Sequence, residues 1–128
     1  MSHIKINPAT HEALAGAGGT MQRSAAGEAV LSAGDDAKEM FVVSQGAVKI
    51  KVNGETIEEV GEGGIFGEMA LIDYRKRSAD VVAATDCEII PIDQRLFVIL
   101  VQETPFFALD VMKILAERLR MMNTKLNG

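Results

Sequence analysis

Cysteine, histidine, positive charge and long apolar runs are all scarce in this chain of 128 residues. The single cysteine, Cys87, excludes an internal disulfide framework and a cysteine-based zinc site, and it fits a reducing compartment. As a lone thiol within DCEIIPID it reads as a core residue rather than a reactive one. The two histidines, His3 and His11, both sit in the first twenty residues without a carboxylate cluster at ligand spacing. They read as solvated surface, and no metal is expected. The longest apolar run, LFVILV at 96–101, falls far short of the roughly 20 residues a membrane span requires. The N-terminal stretch, broken by Pro8 and by glycines, lacks the charged-then-apolar pattern of a signal peptide. A cytoplasmic protein with no membrane span is therefore expected. Thirteen Lys and Arg against eighteen Asp and Glu leave a net charge of −5. That balance argues against direct binding to nucleic acid, whose backbone is recognised by clustered cations.

What is present is the composition of one folded domain. Hydrophobic residues make up 48% of the chain and charged residues 24%, and the length suffices for one hydrophobic core but not for two ordinary domains. Residues 1–20, rich in Ala, Gly and Thr, read as a loosely ordered lead-in with a short helix near ATHEALAG. From residue 21 to 92 the text changes to short β-branched segments punctuated by glycine. Asn53-Gly54 is a strong hairpin signal, and Val48, Ile50 and Val52 alternate with Lys49 and Lys51, so one strand face is buried and the other wet. Strands at such short spacing suggest a sandwich or a barrel. The last third switches to helical period. A helix over 93–104 starts at Asp93, a candidate N-cap, and stops before Pro105; a second, over 106–126, shows an apolar stripe at Val111, Leu115, Leu119 and Met122. Residues 21–128 thus form one domain.

One stretch concentrates the chemistry. In GEGGIFGEMALI, four glycines precede a run of helix formers, so backbone amides can approach a ligand where a helix start presents unpaired N–H groups. Such an arrangement can bind an anion, although glycines also serve plain turns. A P-loop is excluded because G-K-[ST] is missing. Arg77 follows ten residues after Gly67; its guanidinium fork matches two phosphate oxygens and stays charged when desolvated. Arg75 and Lys76 read as ordinary loop charges. Glu68 only accepts hydrogen bonds, so beside an anion it needs donors such as a sugar hydroxyl, or else it serves the helix dipole. Carboxylate, amides and one arginine together describe a nucleotide gripped by its sugar and a singly charged phosphate.

FGEMALIDYRKRSADV resembles, without a gap, the phosphate-binding cassette of the cyclic nucleotide-binding domain family, written F-G-E-x-A-L, a short spacer, then R-[STA]-A and a β-branched strand. The similarity runs from residue 21 to 122 and includes Gly34-Asp35, Gly46, the paired strands and both C-terminal helices. It implies a mainly β fold: an eight-stranded antiparallel jelly-roll barrel with a short N-terminal helix and two C-terminal helices. It also implies a cyclic nucleotide, cyclic AMP or cyclic GMP, as ligand. By this resemblance Arg77 takes the phosphate, Ser78 and Ala79 adding hydroxyl and backbone contacts, and Glu68 takes the ribose. Met69 and the amides of Gly67 and Ala70 complete the cradle. Arg118 falls near the family's purine-stacking arginine, with Met122 and Asn123 one turn on, and Ile65 and Phe66 sit where family members line the base pocket. On periodicity alone Met122 is core or lid packing, Arg118 an exposed helix charge, and Ile65 and Phe66 core. Lys76 stands where a proline often precedes the phosphate arginine.

The expected protein is a non-enzymatic, stand-alone receptor for cyclic AMP, preferred over cyclic GMP because the resemblance is to bacterial members. Its C-terminal helix would signal to an unidentified protein partner. The rivals are a nucleotide-insensitive jelly-roll interaction module and the ligand domain of a larger channel or regulator. A metal enzyme on a similar jelly roll would need histidines clustered inside it.

Overall fold

The computed structural model describes Ile6, Ala13, Leu14 and residues 19–73 and 76–127, with 72, 73 and 122–127 as backbone alone. Among the described residues eight strands run β1 Gln22–Ser24, β2 Ala29–Leu31, β3 Met40–Gln45, β4 Val48–Val52, β5 Glu55–Val60, β6 Ile65–Phe66, β7 Asp80–Ala83 and β8 Cys87–Ile92. A single helical turn, α1 (Ala70–Asp73), separates β6 from the loop before β7; α2 (Gln94–Glu103) and α3 (Phe106–Asn127) close the chain. In the lead-in, Ala13 and Leu14 are helical, and Leu14 is fully buried. The rest of that expected helix, with His3 and His11, lies outside the described residues.

The strands form two antiparallel four-stranded sheets, ordered β1-β8-β3-β6 and β2-β7-β4-β5. This corrects the expected closed barrel: the architecture is an open jelly-roll sandwich. Three of the four edge strands are short, three residues in β1 and β2 and two in β6 against six in β5, so each seam between the sheets meets a strand too short to carry a ladder across it. Facing side chains join the sheets instead: Phe41, Val43, Val48, Val60, Phe66, Val81 and Ile89 form the inter-sheet core. Phe41 stacks on Phe66 with ring centroids 5.1 Å apart, a contact worth about 0.5–1.5 kcal/mol beyond its buried area.

The other face of the first sheet is covered too. Met40, Val42, Ile65, Ile90 and Ile92 meet Leu96, Leu100, Phe107, Val111 and Ile114 from the helices, with Ile6 and Leu14. Burial on both faces explains why MFVV in β3 is a continuous apolar run while β4 alternates. At the β4–β5 turn both Asn53 and Gly54 adopt positive φ, 53° and 83°, the requirement of a tight hairpin turn matched to strand twist.

Asp93 caps α2: its side chain accepts a hydrogen bond from Leu96 N at 2.8 Å. In α3 the inward face runs through Val111 and Ile114 to Arg118. Leu119, expected on the buried stripe, is instead 61% exposed, because one residue beyond Arg118 the helix has rotated about 100° away. Among the described residues no helix is long and apolar enough to cross a membrane.

Candidate functional site

The segment leaving β6 and the segment entering β7 are pinned against each other. Gly67, just after Phe66, has φ +72°, and a Cβ placed there would stand 2.7 Å from Arg77 Nη1. Glycine is thus required both by conformation and by the close approach of the arginine. On the other side the backbone of Arg77 is held by the turn after β2: Arg77 N donates to Asp35 O at 2.8 Å, and Gly34 N donates to Arg77 O at 2.9 Å. Two turns that are remote in sequence, after β6 and after β2, therefore bracket Arg77.

That guanidinium is half-buried. Nη1 donates to Gly67 O at 3.2 Å and Nη2 to Glu39 O at 2.7 Å, while the Phe41 ring lies 5.7 Å beneath its central carbon. Nε is buried with no hydrogen-bond partner among the described residues. Burial lowers the Arg77 pKa below the ordinary arginine value, opposed in part by Glu39, Asp35 and Glu68. The site therefore holds a desolvated cation whose contacts are neutral carbonyls, a poor arrangement for stability and a good one for receiving an anion.

Glu68, the next residue after Gly67, is 8% exposed and is the buried charged residue among those described. Its partner comes from α3: Arg118 Nη1 donates to Glu68 Oε1. The same guanidinium donates from Nε to Glu58 Oε1 at 3.1 Å, from Nη2 to Glu58 Oε2 at 3.2 Å, and to Ile65 O. Burial lowers the Arg118 pKa, but the Glu68 and Glu58 carboxylates outweigh it and hold the group above its ordinary value.

Between these charged groups lies a cavity of about 490 Å³, well within the range of small-molecule sites. Gly67, Glu68, Met69, Ala70, Arg77, Ser78, Ala79 and Arg118 all line it. Its remaining wall is mostly apolar, from Leu31, Ile50, Val52, Ile57, Val81 and Met121. Ile65 and Phe66 are not in that wall; both are fully buried, one in each core, and only the Ile65 carbonyl reaches Arg118. The amide of Ala70 donates to Gly67 O at 3.2 Å, closing the turn. Lys76, expected as an ordinary loop charge, also lines the cavity and pairs with Asp36 at 3.2 Å. Arg75 and the side chains of Met122 and Asn123 lie outside the described residues.

Sequence reading missed Glu58 and Met121. A signal for Glu58 existed: it pairs directly with inward-facing Ile50 across the hairpin and shares its strand face with buried Val60. A carboxylate at such a position needs a partner.

The family profile described as "Cyclic nucleotide-binding domain" matches residues 21–104. This chain belongs to the cyclic nucleotide-binding domain family. Solved structures agree with that membership. The catabolite activator protein of Thermus thermophilus is 26% identical with a TM-score of 0.79; the match covers 95% of this chain and 59% of that one. A protein solved in work on a cyclic-GMP-dependent signalling pathway in bacterial phytopathogenesis is 27% identical, TM-score 0.74, covering 94% of this chain and 98% of that one. A cyclic nucleotide-binding-like protein from Brucella abortus is 29% identical, TM-score 0.60, covering 76% of this chain and 86% of that one. This domain thus spans 59% of the length of the activator protein. The family is typically regulatory rather than catalytic. Among the described residues, no group of three or more His, Cys, Asp and Glu could hold a metal ion.

Proposed function

We propose that this domain is a cytoplasmic, non-enzymatic receptor that binds one cyclic nucleotide in the cavity between the Gly67–Ala70 turn and α3. The cyclic phosphate, with one negative charge, seats on the Arg77 fork, with the Ser78 hydroxyl and the Gly67–Ala70 and Ala79 backbone around it. A ribose hydroxyl donates to Glu68. The purine lies against the apolar wall of Val52, Ile57, Met69 and Met121, and Arg118, Met122 and Asn123 on α3 close over it. The observation that carries this reading is the buried Arg77 Nε, without a partner among the described residues, next to a cavity that also presents a buried carboxylate. Buried polar groups are nearly always paired, and a phosphate oxygen would complete the guanidinium's bonding.

Cyclic AMP is the preferred ligand and cyclic GMP its competitor, the latter favoured by the pathway named for one similar structure. The apolar wall offers stacking and contact area to either purine. Binding alters the position or order of α3 through differential affinity for two states, and a protein partner reads that change. A calorimetric titration of the domain with each nucleotide tests the reading. One-site binding, tighter for cyclic AMP, is expected; absence of heat with both nucleotides contradicts it.

A further inference from the structure

The ribose seat assigned above already has an occupant, and that occupant has a second hold. Arg118 grips Glu68 with one nitrogen and Glu58 with two, and it also donates to the Ile65 carbonyl. The three side chains are only 16%, 12% and 9% exposed for Arg118, Glu58 and Glu68, so solvent screens their interaction weakly. The cluster contains two carboxylates and one guanidinium, one carboxylate more than the proposed nucleotide uses. Glu58 lines the same cavity.

Resting on the proposed receptor function, we propose that Glu58 is a positioning residue that retains Arg118 when the ribose takes Glu68, making the Arg118–Glu68 contact a reversible plug. With Glu58 present, Arg118 gives up one of two ionic partners on nucleotide binding and keeps a forked pair. Without Glu58, Arg118 has Glu68 as its sole carboxylate, and the ribose must compete for it. A partly buried guanidinium would then be left without a counter-charge, which is strongly unfavourable. Glu58 thus eases entry of the ligand without touching it.

The alternative expectation has the opposite sign. If Glu58 acted only through its charge, removing it would strengthen binding of an anionic nucleotide, whatever stood at 118. Four proteins separate the two: the unaltered chain, Glu58→Gln, Arg118→Gln and the double variant, each titrated with fluorescent cyclic AMP and cyclic GMP after its fold is checked by circular dichroism. Glu58→Gln is expected to weaken binding roughly tenfold when Arg118 is present. In the Arg118→Gln background the same change should leave affinity within about twofold or tighten it. Glu58→Asp, which keeps the charge, should recover most of the loss. Equal effects of Glu58→Gln in the two backgrounds, or tighter binding in both, overturn the assignment. Failure of the unaltered chain to bind either nucleotide is a different outcome: it removes the receptor function itself, and this role of Glu58 with it.

Discussion

Replacing Arg77 by alanine should separate ligand binding from folding. In the folded domain the guanidinium is half-buried, its two terminal nitrogens donate to the backbone carbonyls of Gly67 and Glu39, and Nε has no partner among the described residues. Burial depresses its pKa, which marks a charge held at some cost. Removing it loses two hydrogen bonds to carbonyls but also relieves an under-compensated cation, so stability should change by no more than about 1 kcal/mol. The bound state differs: a phosphate would make this a buried, hydrogen-bonded charge pair, and truncating one partner of such a pair typically removes about 2–5 kcal/mol. The dissociation constant should therefore rise at least roughly thirtyfold. Fluorescence anisotropy with a labelled cyclic nucleotide measures the binding change, and urea denaturation without nucleotide measures the stability change. Arg77→Lys keeps the charge but not the fork and should fall between the two proteins. Unaltered affinity in folded Arg77→Ala would show that Arg77 does not receive the ligand, and a stability loss well above about 1 kcal/mol would contradict the reading of its guanidinium as an under-compensated charge.

Three further changes probe the surrounding structure. Gly67→Ala forces a side chain to φ +72° and sets a Cβ 2.7 Å from Arg77 Nη1; it should cost about 1–2 kcal/mol in urea denaturation and weaken nucleotide binding, because Arg77 must move. Asp93→Ala removes the acceptor for Leu96 N and should lower stability by about 1 kcal/mol while leaving nucleotide affinity as it is, which the same two assays check. Cys87 is buried, and its thiol pKa is raised by burial and then by Asp86 and Glu28. The neutral thiol therefore persists to higher pH than in the unfolded chain, and alkylation at mildly alkaline pH should be slow until urea unfolds the domain. Rapid stoichiometric labelling of the folded protein would contradict that placement.

Much of this architecture could be read from local chemistry. Asn53-Gly54 announces its hairpin because a two-residue turn with positive φ at both positions selects those residues, and Asp93 announces a helix start because its side chain can accept from a free amide. Gly67, Glu68, Arg77 and Ser78 are recognisable as a set because they come from one continuous stretch. What local pattern could not supply was partnership across long separations. Whether two sheets close into a barrel depends on edge-strand length, and β6 is only two residues long. Arg118 pairs with residues 50 and 60 positions earlier, so its role follows from how α3 docks rather than from its neighbours in sequence. Spacing from Leu115 predicts Leu119 on the apolar stripe, yet the carboxylates of Glu58 and Glu68 bring Arg118 inward and leave Leu119 exposed. The buried face of a helix end is decided here by ion pairing as much as by hydrophobicity.

Titration of ¹⁵N-labelled domain with cyclic AMP, followed through backbone amides and arginine Nε–H resonances, addresses the ligand and its location together. Saturable shifts centred on Gly67–Ala70 and Arg77–Ala79, with a large change at Arg77 Nε–H, and a much weaker response to linear 5′-AMP are expected. Shifts confined to other surfaces, or an Arg77 Nε–H resonance that stays in place as the nucleotide saturates, would show that this cavity does not hold a cyclic phosphate.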